Sequence, residues 1–152
     1  MDSRKRDKVV KWWVDRILSG YPIKPVIEVV EYVESSASKI TDAILELYSG
    51  KSFEETGVEE PIDDLMRFLA TDRNLSPGDS IKLLVELRDV IADELSLEGE
   101  ERLKFNLGVE KLILKAFDAY MACREKIFEL RLREKERDIE IMRKIIEFSN
   151  KC

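Results

Sequence analysis

The sequence predicts an all-α protein of about six helices whose last helix outruns the domain it belongs to. The 152 residues are 44% apolar and include only six glycines and four prolines. That is a helical composition in a chain long enough for one domain with a substantial core. Apolar residues recur at intervals of three and four, most clearly in Ala116–Arg131. There Ala116, Tyr120, Cys123, Ile127 and Leu130 make one row, and Phe117, Met121, Arg124 and Phe128 make a second. Two adjacent rows of that period form one broad apolar helix face, opposite Lys115, Asp118, Ala122, Glu125 and Glu129. Finally, nothing between Glu101 and Ser149 interrupts a helix except Gly108, which costs about 1 kcal/mol against alanine and softens or kinks it.

The first helix is expected from Arg4 to Leu18, with Val10, Trp13, Val14 and Ile17 inward and Trp12 alongside. Ser19-Gly20-Tyr21-Pro22 ends it. Two tryptophans on one short helix should anchor it to the core, a ligand cage being the alternative use. Between Pro25 and Val33 the β-branched residues suggest a strand, yet Glu28, Glu31 and Glu34 repeat every three residues. That period reads as a short helix. Ser35-Ser36-Ala37-Ser38 then offers N-caps for a third helix to Tyr48, carrying Ile40, Ile44, Leu45 and Leu47.

Ser49 to Glu60, with two glycines and four glutamates, reads as an exposed loop. Pro61 suits the first position of a helix to about Arg73, with Ile62, Leu65, Met66 and Leu69 inward and Phe68 widening the face. Ser76-Pro77-Gly78-Asp79 is the clearest helix start: serine at the N-cap, proline first, and aspartate third to complete a capping box. The helix that follows to Leu95 has one polar stripe, Lys82, Glu86, Asp89 and Asp93. It should therefore lie centrally, covered by neighbours on at least two sides. Leu97 to Glu101 is a short turn.

A helix from Glu101 to Ser149 would be about 70 Å long, against about 30 Å for a domain of this size. Its end must project, fold back or pair with another chain. The expected division is a helical domain over residues 1–131 and a helical stalk over 132–152. Arg133 to Asp138 is an unbroken run of six charges, after which apolar spacing resumes. Leu132, Ile139 and Ile146 lie seven apart, with Phe128 and Met142 at the second heptad position and Lys135 between them. This is a short coiled-coil seam, and a parallel homodimer would cover it.

The net charge of −6 argues against nucleic acid as a partner. The basic start, Arg4, Lys5, Arg6, Lys8 and Lys11, reads as a solvated helix end, with an acidic surface or lipid headgroups as the alternative contact. No apolar run is long enough for a membrane span and no signal-like core follows the basic start, so a cytoplasmic location is expected. Cys123 and Cys152 form no disulfide framework. The chain has no histidine, which removes the usual general base, the commonest zinc ligand and the proximal ligand of an ordinary haem. No cofactor is expected. The carboxylates Glu54, Glu55, Glu59, Glu60, Asp63 and Asp64 look like solvation of a polar loop, not an acid–base or metal site.

Arg124 stands inside an apolar row, where an unpaired guanidinium would be very unfavourable. An internal carboxylate such as Asp15, Asp89 or Glu86 would answer it. So would the anionic headgroup of a small ligand whose apolar part lies among Trp13, Phe117 and Tyr120. Arg88 raises the same question on the central helix.

The blocks AFDAYMACREKIFELR (116–131), LSPGDSIKLLVELRDVI (75–91) and KWWVDRILSGYP (11–22) together resemble the N-terminal sensor domain of the RsbR/RsbRD type. Proteins of that type are co-antagonists in stress-signalling complexes that regulate sigma factors. The resemblance runs in the same order through nearly the whole chain. It implies a globin-like, dimeric helical fold without haem, in which an input at the domain passes down a long C-terminal helix. Members of the family continue into a STAS domain carrying phosphorylation sites and a kinase-binding surface. The resemblance therefore implies either a fused output domain or a separate regulatory protein as partner. The resulting expectation is a non-enzymatic sensor, with a structural dimerisation scaffold needing no ligand as the alternative.

Overall fold

In the computed structural model the first helix, α1 (Ser3–Leu18), starts at Asp2, whose carboxylate accepts the Lys5 backbone N–H at 2.9 Å. The structure describes residues 1–21 and 24–151, so Pro22 of the expected α1 stop and the terminal Cys152 lie outside it. Val9, Trp13, Val14 and Ile17 are buried, and Val10 is half-buried at the edge of the face. Trp12 departs from the expected anchoring role. It is 39% exposed, because at about 100° per residue it falls outside the arc that Val9, Val10, Trp13, Val14 and Ile17 share.

The expected second and third helices are one helix, α2 (Ile27–Tyr48). Ser35–Ser38 caps nothing: Ser36 and Ala37 are buried mid-helix, and Ser38 takes up Arg6 of α1 through its carbonyl and hydroxyl oxygens. Arg6 also grips Asp42 with two bonds, 2.9 and 2.8 Å, holding α1 along α2. Small residues there let the two helices approach, so a serine cluster that resembles a helix start is a packing surface.

The segment 49–58 is less exposed than its composition suggests, since Phe53 and Val58 are buried on either side of a 3₁₀ turn at Glu54–Thr56. Helix α3 (Glu59–Ala70) begins before Pro61, which occupies its third position, and ends short of Arg73. Ile62, Leu65, Met66 and Leu69 are buried and Phe68 half-buried, as their spacing predicts. Helix α4 (Pro77–Glu94) starts on the anticipated capping box between Ser76 and Asp79.

Two helix ends close with the same backbone geometry and different residues. After α2, Gly50 has φ 104°, and the Lys51 N–H reaches back to Glu46 O. After α4, Ser96 has φ 55°, and the Leu97 N–H reaches Ala92 O while the Leu97 side chain is buried. A left-handed L-residue costs about 1 kcal/mol or more that glycine does not. Ser96→Gly is therefore expected to stabilise the protein by about 1 kcal/mol in urea unfolding. A loss of stability would assign the serine side chain a role at this corner.

The last helix, α5 (Gly99–Asn150), runs 52 residues without interruption, about 78 Å. Gly108 does not break it. One row of α5, Phe105, Val109, Leu112, Ala116 and Tyr120, is buried, chiefly against α3 and α4. Five α-helices and one 3₁₀ turn, with no strand among the described residues, replace the expected six. No helix among the described residues is long and apolar enough to cross a membrane.

Candidate functional site

Where α5 leaves the domain, its last inward residues hold the connection between α3 and α4. The Tyr120 hydroxyl donates to Leu75 O at 2.6 Å. One turn on, Arg124 donates through Nε to that hydroxyl at 3.0 Å, and through Nη2 to Asp72 O at 2.6 Å and Leu75 O at 2.8 Å. Its guanidinium carbon lies 5.3 Å from the Tyr120 ring centroid. Asp72 O lies just past the C-terminus of α3, where the negative end of that helix's dipole suits a guanidinium.

The acceptors of Arg124 are thus backbone carbonyls, not the expected carboxylates. Glu86 instead pairs with Arg16 at 3.0 Å, and Asp89 with its neighbour Arg88 at 3.1 Å. A half-buried arginine can be answered by backbone carbonyls as well as by acids, and side-chain types do not show which.

The structure does not gather the other candidate ligand residues around Arg124. Trp13 is wholly buried in the core, its indole N–H donating to Leu83 O at 2.8 Å. Phe117 is 44% exposed on the far side of α5. Arg88 is half-buried in a groove between α4 and α5. A cavity of about 180 Å³ touches the clamped connection through Asp72 and Leu75, with Arg16 and Lys82 as cations and Phe68 and Leu83 as apolar walls. That is smaller than an ordinary ligand pocket of about 300 Å³ or more. Among the described residues no group of three or more Cys, Asp or Glu side chains is placed to hold a metal ion.

The expected broad face of Ala116–Arg131 is two faces. Ala116 and Tyr120 are buried, and Cys123 and Ile127 pack at the core's margin. Of the second row, Phe117 and Phe128 face outward and Met121 sits at the border. Beyond Arg131 every described residue is exposed. Phe128, Leu132, Ile139, Met142 and Ile146 have between 45 and 63% of their surface open. Leu103, Leu107 and Leu114 are just as exposed on the part of α5 that packs in the domain. Sequence reasoning missed these three, although Leu107, Leu114, Met121 and Phe128 stand seven apart.

A protein of Archaeoglobus fulgidus, described as an uncharacterized protein, is 59% identical to this chain over 146 residues, 96% of the chain and 95% of the relative. No family model matches the chain, and no solved structure matches it.

Proposed function

The chain belongs to the same family as the Archaeoglobus fulgidus protein, and we propose that its function is non-enzymatic signalling. A homodimer receives an input at its helical domain and passes it along α5 to a regulatory protein or a fused output domain. One observation carries this reading. A single uninterrupted helix is bonded to the domain at Tyr120 and Arg124, then continues as an exposed, apolar-seamed rod. A helix bonded to a connection between two core helices feels any displacement of that connection. The resemblance to RsbR/RsbRD-type sensor domains supports the same reading, with its globin-like, haem-free fold and its place in a stress response. The match to the relative spans 96% of the chain, so most of the rod belongs to the shared length.

A scaffold that only dimerises is the second reading. It is favoured by the internal satisfaction of Arg124, which leaves that guanidinium no need of an anionic ligand. Tyr120→Phe separates the two, because it removes one hydroxyl from the clamp and keeps the ring. For a relay, hydrogen exchange of the variant should rise both at residues 72–75 and along 132–150. A rise confined to 72–75 would reject the relay and leave the scaffold.

A further inference from the structure

Resting on the dimeric reading above, we propose that the pairing with a second copy of this chain begins inside the domain. Its upper half is the outer face of α5 from Leu103 to Phe117, together with the groove between α4 and α5. At about 100° per residue, these outward side chains lie about 140° round the helix from the buried row. Helix α5 therefore carries two apolar strips, one covered by its own subunit and one open along nearly its full length.

Area decides how far the interface reaches. The seam from Phe128 to Ile146 is about 27 Å long and about 10 Å wide. Two copies would bury about 540 Å² there, well under the roughly 1,000 Å² that marks a specific interface. Extending the strip to Leu103 gives about 65 Å of length and about 1,300 Å² for the pair, within the usual range. On one copy that strip is about 650 Å², at the upper limit of the largest patch on a typical monomer, about 300–600 Å².

The groove beside the strip has matching chemistry. It measures about 310 Å³ and is lined by Val85, Arg88, Asn106, Leu107, Glu110 and Leu114 among others. Among the described residues, Asn106 Oδ1 is buried there without a hydrogen-bond partner, and Arg88 pairs through Nε with the half-exposed Asp89, with no ion pair to Glu110. In a two-fold pair the second copy's Glu110, on the strip, comes to Arg88 in the groove, and the reverse. An apolar strip alone leaves the register loose, and one repeated charged pair fixes it.

Sedimentation equilibrium of three forms of the 152-residue chain tests this: the unmodified chain, Leu107→Glu/Leu114→Glu, and Ile139→Glu/Ile146→Glu. All four leucine and isoleucine positions are exposed, so circular dichroism should stay helical. The unmodified chain should be a dimer of twice 17.7 kDa. The upper pair of substitutions should weaken it by about 100-fold or more, and the stalk pair by clearly less. An upper pair that dimerises as tightly as the unmodified chain would overturn the present inference and leave the stalk dimer standing. An unmodified chain that stays monomeric would overturn both. A second measurement needs no disruptive charge. With Cys123 and Cys152 replaced by alanine, Leu114→Cys should cross-link between copies under copper-phenanthroline oxidation, and Gly108→Cys, on another side of α5, should not. The reverse pattern would overturn the inference.

Discussion

Trp13→Ala is expected to lower the free energy of unfolding by about 3–5 kcal/mol, the range for deleting a fully buried aromatic side chain. The indole has no exposed surface. It also bonds to α4 from within the core, through Leu83 O at 2.8 Å, whereas the Arg16–Glu86 pair between the same helices lies nearer the surface. The rest of the inward face of α1, Val9, Val14 and Ile17, is small by comparison. Truncation leaves a void between α1 and α4 and removes a donor from a buried carbonyl, and both costs add. Trp12→Ala, one residue away and 39% exposed, should change stability far less, by about 0.5 kcal/mol. Urea unfolding of both variants at one fixed protein concentration makes the comparison, since a dimer's apparent stability moves with concentration. Similar losses at the two positions would mean that α1 is not docked through Trp13.

The same neighbouring pair shows what a sequence discloses about this fold. Period and local cap chemistry are properties of a few successive residues. The start of α4 at Ser76-Pro77-Gly78-Asp79 and the inward face of α3 could therefore be read directly. Ser35–Ser38 could not, because a hydroxyl that caps one helix packs equally well in the middle of another. Its role here is settled by Arg6, thirty-two residues away. Phe53 and Val58 were hidden by the glutamates around them.

The candidate site divides along the same line. That Arg124 needs acceptors follows from its place in an apolar row. That the acceptors are Asp72 O and Leu75 O depends on the path of a connection about fifty residues earlier in the chain. The two strips of α5 merged into one face in the sequence, since adjacent rows at the same period differ only in which neighbour covers them.

Arg124→Ala should cost about 1.5–3 kcal/mol, the usual range for a hydrogen bond to a charged group. The upper end is not expected, because Asp72 and Leu75 are only half-buried and water can replace part of what is lost. Leu75 O keeps the Tyr120 hydroxyl at 2.6 Å, whereas Asp72 O loses the guanidinium and keeps the longer bond from the Leu75 N–H, 3.3 Å. Hydrogen exchange should therefore rise most around Asp72–Asn74, within the connection, before any change in α3 or α4 themselves. Arg124→Lys should recover little, since an ammonium cannot reproduce the planar fork that spans the hydroxyl and two carbonyls. The cost should also be nearly the same at about pH 3 and pH 7, because backbone carbonyls do not titrate as a carboxylate partner would. A loss that grew or vanished across that range would point to a carboxylate as the true partner and undo the clamp. The effect on the rod follows from the same bonds. With Asp72 released, the exit of α5 is held by the Tyr120–Leu75 bond and by packing at Cys123 and Ile127. The helix beyond Arg131 should then fray more readily without any change in its own sequence.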